Sequence, residues 1–485
     1  MKMLIDSQWV EASNGNWLEI SNPGTGEIID KVPEATLEDA KTTLAAAQRG
    51  KKEMGRLPAH ERSAILFRIA RAMETNKEDL SKLLAKENGK PILQTREEVA
   101  AAIRIYQGFG EEAKRIMGRV IPTDAVPGQE RNFAMTIRQP LGVIAAIVPF
   151  NYPVELGAHK VGAALAAGNA VIVKPPSDCP LTILKIAALM EEAGLPRAAL
   201  QVITGPGGLI GEFLAKSEGI QLITVTGSTE VGVKISQLAA QSLKKVHLEL
   251  GGNDPTIICA DADLEKAADA IILGRLARGN GQICCAVKRI FVDIKVYDKF
   301  AEILVEKTKA LKVGDQLEED ADVGPLINES AAKEVEALIS SAVEGGAKIR
   351  AGGHRNGCFI EPTVLTDVPP EVELFREETF GPVAPLVAFK DLDEAVNMAN
   401  NSPYGLQAAI FTNDISKAFD IAYRLEAGGV IINWSSAVRL ENLSFGGIKL
   451  SGHGRESIHD TLEDMTEQKS IIIFDAINSF DAKKE

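Results

Sequence analysis

Two adjacent cysteines are the first residues whose type and setting could do chemistry. Cys284 and Cys285 lie in the stretch "GNGQICCAVKR", between small, loop-forming residues and two cations. A thiolate can act as a nucleophile, two neighbouring thiols can form a redox pair, and small thiols can also pack as core residues. A metal site is disfavoured because no C-x-x-C spacing and no histidine cluster accompanies them, so we predict no metal. The stretch alone leaves the first three alternatives open.

A carboxylate and an amide also have settings that suit catalysis. Glu249 lies in the apolar stretch "HLELGGN", where loss of water would raise its pKa towards the range of a general base. Asn151 of "VPFNYP" is flanked by bulky residues and a proline, which favour one orientation of an amide that could stabilise an oxyanion. Each residue has a plain alternative: a solvated strand-end carboxylate for Glu249 and a turn-satisfying amide for Asn151.

Two further segments suit a nucleotide. Lys174 ends the apolar run "VIVK" and two prolines follow it, so its ammonium could reach a ribose hydroxyl or a phosphate, although an ordinary snorkelling lysine is an equal alternative. In "TVTGSTEVG", Gly227 permits a sharp turn, and Ser228 with the first N–H groups of the next helix could receive a pyrophosphate. An N-capping turn explains the second segment equally well.

The elements that must position these residues alternate between strand and helix. From about residue 141, apolar β-branched runs such as "GVIAAIV" alternate with amphipathic stretches, and a second alternation runs from "DPTIICA" to "GGVIINW". This pattern is typical of parallel sheets covered on both faces, so we predict an α/β fold with two doubly wound, Rossmann-like domains. The first 115 or so residues are predicted to be mainly helical. The alternating segments "NFAMTIRQP" and "EQKSIIIFD" predict a small β arm.

The bulk composition excludes several classes of protein. The 485 residues are 45% hydrophobic and 25% charged, the balance of a globular protein of roughly two to four domains. A net charge of −14 argues against a surface for nucleic acid or anionic lipid. We see no signal peptide and no membrane span, and five sparse cysteines are no disulfide framework. We expect a cytoplasmic protein with no nucleic-acid or membrane partner.

Seven segments, taken in series, resemble the signature set of the aldehyde dehydrogenase superfamily. In chain order they are "PFNYP", "VKPPS", "TGSTEVG", "LELGGN", "GQICC", "EETFGP" and "SFGGIKLSG". The resemblance covers essentially the whole chain. It implies a dinucleotide-binding domain of residues 1–120 and 140–250, a catalytic domain of residues 251–435, and an oligomerisation arm of residues 121–139 and 460–485. It also implies a homodimer or homotetramer.

The resemblance assigns catalytic roles to three residues. Cys284 would be the nucleophile, which makes Cys285 a bystander. The thiolate would attack an aldehyde to form a thiohemiacetal, whose oxyanion the Asn151 amide stabilises. Hydride transfer to a nicotinamide would leave a thioester, and water activated by Glu249 would hydrolyse it to the carboxylic acid.

The cofactor residues follow from the same resemblance. Lys174 and Ser177 would face the adenosine ribose, and Ser228 the pyrophosphate, while Glu378 and Phe380 would hold the nicotinamide ribose and ring. Ser177 stands where NAD-preferring relatives often place a glutamate that would repel a 2′-phosphate, so NADP is the expected cofactor and NAD the second candidate. The full set of predicted cofactor residues is Pro149, Phe150, Lys174, Ser177, Gly227, Ser228, Glu378 and Phe380.

The substrate residues implied are Arg439, His159 and Arg115. They stand where relatives acting on anionic aldehydes bind a phosphate, phosphonate or carboxylate, and the chain is similar here to the lactaldehyde, non-phosphorylating glyceraldehyde-3-phosphate and phosphonoacetaldehyde dehydrogenase group. The sequence departs from that group at Ile283 and Ala101, where arginines are expected. The resemblance therefore implies a small aldehyde with a polar or singly anionic tail.

Three rival functions remain at the level of sequence. A coenzyme-A-acylating dehydrogenase generally lacks the water-activating glutamate, which is present here as Glu249. A binding or structural protein that has lost the chemistry is disfavoured because nucleophile, base and amide are present together. A cysteine hydrolase would need a histidine base, and the only candidate near the motifs is His247, whose neighbours are apolar.

Overall fold

Helices and strands alternate along residues 1–476, the part of the chain that the computed structural model describes. The helices are α1 (Leu37–Arg56), α2 (Ala59–Thr75), α3 (Lys77–Asn88), α4 (Ile92–Glu112), α5 (Pro153–Ala167), α6 (Leu181–Glu192), α7 (Gly207–Lys216), α8 (Thr229–Ala240), α9 (Leu264–Ile271), α10 (Tyr297–Lys309), α11 (Glu329–Glu344), α12 (Glu373–Arg376), α13 (Leu392–Asn400), α14 (Ile415–Arg424) and α15 (Ile458–Asp464). The strands are β1 (Met3–Ile5), β2 (Gln8–Val10), β3 (Trp17–Ser21), β4 (Ile28–Pro33), β5 (Val120–Ile121), β6 (Phe133–Pro140), β7 (Val143–Ile147), β8 (Ala170–Lys174), β9 (Leu200–Val202), β10 (Leu222–Thr226), β11 (Lys245–Glu249), β12 (Asp254–Ile258), β13 (Val287–Asp293), β14 (Lys348–Ala351), β15 (Arg355–Asn356), β16 (Phe359–Ile360), β17 (Thr363–Thr366), β18 (Val383–Phe389), β19 (Tyr404–Gly405), β20 (Gln407–Phe411), β21 (Gly429–Ile432), β22 (Ile448–Lys449), β23 (Gly452–His453) and β24 (Thr466–Ile473).

The first large sheet gathers several sequence motifs at one edge. Its strand order is β2-β1-β9-β8-β7-β10-β11-β23, and the five strands from β9 to β11 are parallel. The order reverses between β7 and β10, and doubly wound sheets bind ligands beyond the carboxyl ends of their strands at such a reversal. β8 ends at Lys174, β11 ends at Glu249, and β10 ends directly before Gly227.

In the second large sheet, the sequence motifs lie at the amino ends of the strands and not at the carboxyl ends. Its order is β14-β17-β18-β13-β12-β20-β21, with the five strands from β18 to β21 parallel. Only residues 250–253 connect β11 to β12, so the chain passes directly from the carboxyl edge of one sheet to the amino edge of the other. Cys284 precedes β13 and Glu378 precedes β18, and both therefore lie at amino ends of strands.

Alternate residues of the central strands pack against different helical layers. In β8, Val171 and Val173 belong to one apolar cluster and Ile172 to another. In β12, Ile257 and Ile258 divide in the same way. Strands that are apolar on both faces require cover on both faces. The predicted α/β class with two doubly wound units is confirmed.

The first 115 or so residues are mainly helical, as predicted, but they begin with strands. The four helices α1 to α4 are present, but β1 to β4 precede them, and β1 extends the first sheet through Leu4 opposite Val202. The four strands were not predicted, and β1 and β2, with three residues each, carry too few positions to show a period of two. Within residues 1–476, no helix is long and apolar enough to cross a membrane.

The two segments predicted to form a β arm pair with each other. β24 runs antiparallel to β6 from Thr466 opposite Pro140 to Ile473 opposite Phe133, and β5 completes a three-stranded sheet. Residues 477–485 of the predicted arm lie outside the described residues. The domain boundaries given above stay a prediction.

Candidate active site

A turn with left-handed backbone conformation lies just before Cys284, the predicted nucleophile. Gly279, Asn280 and Gly281 have φ values of 58°, 54° and 73°, a conformation that favours glycine. A Cβ on Gly281 would lie 2.3 Å from the backbone carbon of Gly381, so this position also requires glycine for close approach. The turn carries the chain to Cys284, which is partly exposed, while Cys285 is buried.

The non-glycine member of this turn is held by its own side chain. The Asn280 amide donates to the carbonyl oxygens of Gly89 at 3.0 Å and Pro325 at 2.8 Å, and its oxygen accepts from the Gly324 N–H at 2.8 Å. These bonds offset the strain of a left-handed asparagine. The position of the nucleophile thus depends on contacts that are distant in sequence.

The thiol of Cys284 is protonated in the resting state. The contact with the Cys285 thiol and burial both raise the pKa of Cys284 above its ordinary value, and the Lys288 ammonium opposes the rise. A thiolate, not a thiol, is the attacking species. Formation of the nucleophile therefore requires a proton to leave at the time of reaction.

A buried ion pair holds the loop that carries Asn151. The Lys90 ammonium donates to the Asn151 carbonyl at 2.6 Å and forms an ion pair with Glu98, and both partners are almost fully buried. The other Glu98 oxygen accepts from the Val154 N–H at 2.9 Å in the first turn of α5. The amide side chain of Asn151 makes no hydrogen bond among residues 1–476, so its donors are available to a ligand.

Glu249 has the environment of a general base. It is 3% exposed, and neither carboxylate oxygen has a hydrogen-bond partner in the described part of the chain. Burial and the nearby Glu456 raise the pKa of Glu249 well above its ordinary value, while Arg439 and Lys160 lower it. A carboxylate with free acceptors and a raised pKa can take a proton from water near neutral pH.

A small cavity lies beside Cys284 and Asn151, whereas Glu249 is not among its lining residues. The cavity has a volume of about 40 Å³, enough for one or a few water-sized groups. Cys284 and Asn151 share its wall, which brings the predicted nucleophile and the predicted oxyanion donor together. The lining residues are Asn151, Tyr152, Glu155, Leu156, Arg278, Ile283, Cys284, Cys285, Ala437, Arg439 and Phe445.

The three predicted substrate residues have different positions. Arg439 lines the cavity and donates to Glu456 at 2.8 Å, and Lys160 bonds the same carboxylate at 2.9 Å. His159 is fully buried outside the cavity lining, and burial holds its pKa well below the ordinary value, so it is neutral. Arg115 is not brought to the cavity: its side chain is 56% exposed and contacts only Glu112 among the described residues.

Sequence reasoning missed Arg278. Its guanidinium donates to the Ala437 carbonyl at 3.0 Å and lies 5.6 Å from the centre of the Tyr152 ring, on the cavity wall. The signal in the sequence is a cation directly before the "GNG" turn, but its direction depends on that turn. With Arg278 and Arg439, the cavity has two guanidinium groups beside Glu155, whose pKa burial raises.

The first sheet supplies groups that fit a dinucleotide. Lys174 is 4% exposed, burial lowers its pKa to about 8, and its ammonium donates to the Ser177 hydroxyl at 3.0 Å without a carboxylate partner among residues 1–476. A Cβ on Gly207, at the start of α7, would lie 3.9 Å from this ammonium. Ser228 is the N-cap of α8 and follows Gly227 at the end of β10. Such a cation beside helix N-termini fits a phosphate-bearing ligand.

The second sheet supplies the remaining predicted cofactor residues. Phe380 and Phe150 meet edge to face with ring centres 5.7 Å apart, beside a cleft of about 290 Å³; Phe150 directly follows Pro149. Glu378 accepts from the Gly252 N–H at 3.2 Å. The buried Arg275 donates to the carbonyl oxygen after Glu378, that of Thr379, at 3.1 Å. The residues present therefore fit a dinucleotide between the two sheets.

Two doubly wound units, a thiol in the cleft between them and strand ends suited to a dinucleotide define a nicotinamide-dependent oxidoreductase that uses a cysteine. The family pattern described as "Aldehyde dehydrogenase family" matches residues 9–471. The chain belongs to the aldehyde dehydrogenase family. The predicted resemblance and the predicted oxidation of an aldehyde are confirmed.

Individual relatives agree with this membership. The chain is 42% identical over 466 residues to a 3-sulfolactaldehyde dehydrogenase of Priestia aryabhattai, covering 95% of this chain and 97% of the relative. It is 38% identical over 474 residues to an NADP(+) succinate-semialdehyde dehydrogenase of Escherichia coli (strain K12), covering 97% of each chain. An NAD+ complex of aldehyde dehydrogenase from Bacillus cereus superposes with a TM-score of 0.94 at 34% identity, covering 98% of this chain and 96% of that one. Relatives thus include enzymes named for either nicotinamide cofactor.

Proposed function

We propose that the chain oxidises a small aldehyde with an anionic or strongly polar tail to the carboxylic acid. The observation that carries this proposal is that Cys284, Arg278 and Arg439 line the same cavity. A guanidinium binds a carboxylate, sulfonate or phosphate through paired hydrogen bonds. The small volume favours short substrates.

The proposed reaction uses three side chains, those of Cys284, Asn151 and Glu249. The Cys284 thiolate adds to the carbonyl carbon, and the Asn151 amide donates a hydrogen bond to the oxyanion of the thiohemiacetal. When bound, a nicotinamide supplies the acceptor for the hydride that leaves this carbon, and a thioester remains on the sulfur. Glu249 takes a proton from a water molecule that attacks the thioester, which releases the acid and restores the thiolate.

We propose NADP as the preferred cofactor, with NAD as the second. Lys174 and Ser177 would hold the adenosine ribose and a 2′-phosphate, because no carboxylate occupies position 177 to repel it. Ser228 and the start of α8 would hold the pyrophosphate, and Glu378 with Phe380 the nicotinamide ribose and ring. Initial rates with both nucleotides at matched concentrations test this preference, and a strong preference for NAD would contradict it.

An aldehyde panel tests the substrate class. Lactaldehyde, 3-sulfolactaldehyde, succinate semialdehyde and propanal differ in the charge and length of the tail. We expect the highest kcat/KM for an aldehyde with one anionic group, because its tail meets both guanidinium groups. Equal kcat/KM for propanal and the anionic aldehydes would contradict the proposal.

Hydrolysis of the thioester is proposed over transfer to coenzyme A. Glu249 has the free acceptors and the raised pKa that activation of water requires. Addition of coenzyme A should leave the rate of acid formation unchanged and yield no acyl-coenzyme A. Formation of the acyl thioester as the main product would favour the acylating alternative.

We also propose that the chain forms a homodimer or homotetramer in the cytoplasm. β24 is an edge strand of the arm sheet in the described chain, and its C-terminal residues Ile472 and Ile473 are exposed. An exposed apolar edge strand is a surface suited to a second copy. Five free cysteines suit a reducing compartment.

A further inference from the structure

One buried ammonium joins three segments of the candidate active site. Lys288, the second residue of β13, is 2% exposed and donates to the carbonyl oxygens of Gly252 at 2.6 Å and Cys284 at 2.7 Å, and to the carboxylate of Glu378. These acceptors belong to the loop after β11, the nucleophile turn and the loop before β18. In the part of the chain that the structure describes, no other side chain bonds all three segments.

The charge of Lys288 has one carboxylate partner close enough to bond. The Glu378 side chain is the partner, and the ammonium also lies 5.5 Å from the centre of the Phe380 ring. Asp254 lies nearby and is 1% exposed, and burial raises its pKa well above the ordinary value, but its carboxyl group forms no hydrogen bond or ion pair with Lys288 in the described chain. The Lys288 charge is therefore directed to Glu378 and to the backbone of Cys284.

We propose that Lys288 is a positioning residue that couples the proposed cofactor-binding residue Glu378 to the proposed nucleophile. One ammonium bonds both the Glu378 carboxylate and the backbone carbonyl of Cys284. The inference rests on the proposed roles of Glu378 and Cys284. Loss of the ammonium would leave the Glu378 carboxylate, which is proposed to bind the nicotinamide ribose, held in the described chain only by the Gly252 N–H. It would also remove the cation nearest to the Cys284 backbone, and this cation favours the thiolate.

A purely structural lysine would behave differently, and the chain offers a matched control. Lys244 is 8% exposed and donates to three carbonyl oxygens, those of Leu214, Ala215 and Ser217. It has no carboxylate partner in the described chain. Lys244→Met therefore removes a buried ammonium with three acceptors but leaves Glu378 and Cys284 untouched.

The experiment compares Lys288→Met, Lys288→Arg and Lys244→Met in the full chain. One readout is the dissociation constant of NADP and of NAD without aldehyde, measured by calorimetry. The second is the pH dependence of Cys284 alkylation by iodoacetamide without nucleotide, located by peptide mass spectrometry. Besides Lys288, Glu378 and Asp254, the charged or titratable groups facing this thiol are Tyr152, Glu155, Glu249, Arg278, Cys285 and Arg439.

We expect Lys288→Met to raise the dissociation constants of NADP and NAD about tenfold, since both nucleotides contain the nicotinamide ribose. The midpoint of alkylation should rise by about one pH unit, because a nearby cation is lost. Lys288→Arg should keep the alkylation midpoint close to that of the parent and recover part of the affinity. Lys244→Met should change neither readout, whatever its effect on thermal unfolding.

Two results would overturn the inference. One is a folded Lys288→Met variant with unchanged affinity and unchanged alkylation, and the other is an equal response of Lys244→Met. If Lys288→Met does not fold, Lys288→Arg decides, since a raised alkylation midpoint despite the retained charge would contradict the coupling. Aldehyde oxidation that survives Cys284→Ser would instead refute the proposed function, independently of the Lys288 variants.

Discussion

The partly exposed thiol of Cys284 and the buried carboxyl group of Glu249 both have pKa values above their ordinary values. Contact with Cys285 and burial raise the pKa of the thiol, and burial with Glu456 raises the pKa of the carboxyl group. Each must lose a proton to do its proposed work, one to attack and one to activate water. The rate of the reaction should therefore depend on pH through these two residues.

Replacement of Glu249 by glutamine should separate the two halves of the reaction. The variant keeps the shape of the side chain but cannot accept a proton from water, so hydrolysis should slow by about 10² to 10⁴. Stopped-flow absorbance should still show one equivalent of reduced nucleotide per site in a burst. A variant with an unchanged steady-state rate would show that another group activates the water.

The pH dependence of kcat follows from the sign of the Glu249 shift. A general base works only when ionised, so a raised pKa moves the loss of activity to higher pH. We expect kcat to fall on acidification with a midpoint above 4.5, the ordinary value for this carboxyl group. A kcat that stays constant down to that value, measured with saturating substrates, would contradict the assignment.

Arg278 should determine the preference for anionic aldehydes. Arg278→Met removes a charged hydrogen bond of about 1.5–3 kcal/mol, so KM for an anionic aldehyde should rise by about 10- to 100-fold. KM for propanal should change little. Arg115→Met is the comparison, and its exposed side chain predicts no effect on either KM. Equal losses on charged and neutral aldehydes would contradict the role of Arg278.

At the level of elements, residues of α3, α4 and their connection form hydrogen bonds with the loop that carries Asn151. Lys90 and Glu98 are 1% and 0% exposed, and together they hold the Asn151 carbonyl and the first turn of α5. Asn88, the last residue of α3, donates to the Phe150 carbonyl at 2.6 Å. The backbone at Phe150 and Asn151 is thus held by helices that lie outside both sheets.

Removal of one partner of this buried pair should destabilise the fold. Glu98→Ala leaves the Lys90 ammonium buried without its carboxylate, and such changes lower the free energy of unfolding by about 3–5 kcal/mol. Urea denaturation followed by circular dichroism measures the effect, with Glu97→Ala at an exposed position of the same helix as a control of small effect. Equal midpoints for the two variants would contradict the structural role.

Sequence patterns predicted some site residues because strand ends fix where they lie. Lys174, Gly227 and Glu249 follow continuous apolar runs, and the carboxyl ends of parallel strands meet at one edge. Arg278 and Lys288 were not predicted, since the direction of the first depends on a left-handed turn and the contacts of the second join loops distant in sequence. A local sequence pattern shows neither the direction that a turn gives to a side chain nor the contacts between distant loops.

At the level of the whole molecule, the sequence also predicts local units but not the contacts between them. The two doubly wound units could be predicted, because β-branched runs and amphipathic helices repeat over most of the chain. The meeting of a carboxyl edge with an amino edge could not, because it follows from the four-residue connection 250–253. This connection brings Glu249, the predicted base in the first sheet, near Cys284, the predicted nucleophile before a strand of the second.

The exposed end of β24 favours assembly of the chain into a homodimer or homotetramer. Ile473 and Phe474 are 49% and 70% exposed, at the edge of the arm sheet. Light scattering should give two or four times the chain mass of 52.0 kDa, and Phe474→Asp should lower that mass. A monomeric parent chain would contradict the predicted oligomer.

The central claim is that the carbon of the substrate is carried on the sulfur of Cys284. The most direct measurement is tandem mass spectrometry of the Glu249→Gln variant after reaction with aldehyde and NADP. We predict that the peptide containing both adjacent cysteines gains the mass of one acyl group, and that fragment ions place it on Cys284. An acyl group on Cys285, or an unmodified peptide after the burst of reduced nucleotide, would contradict the claim.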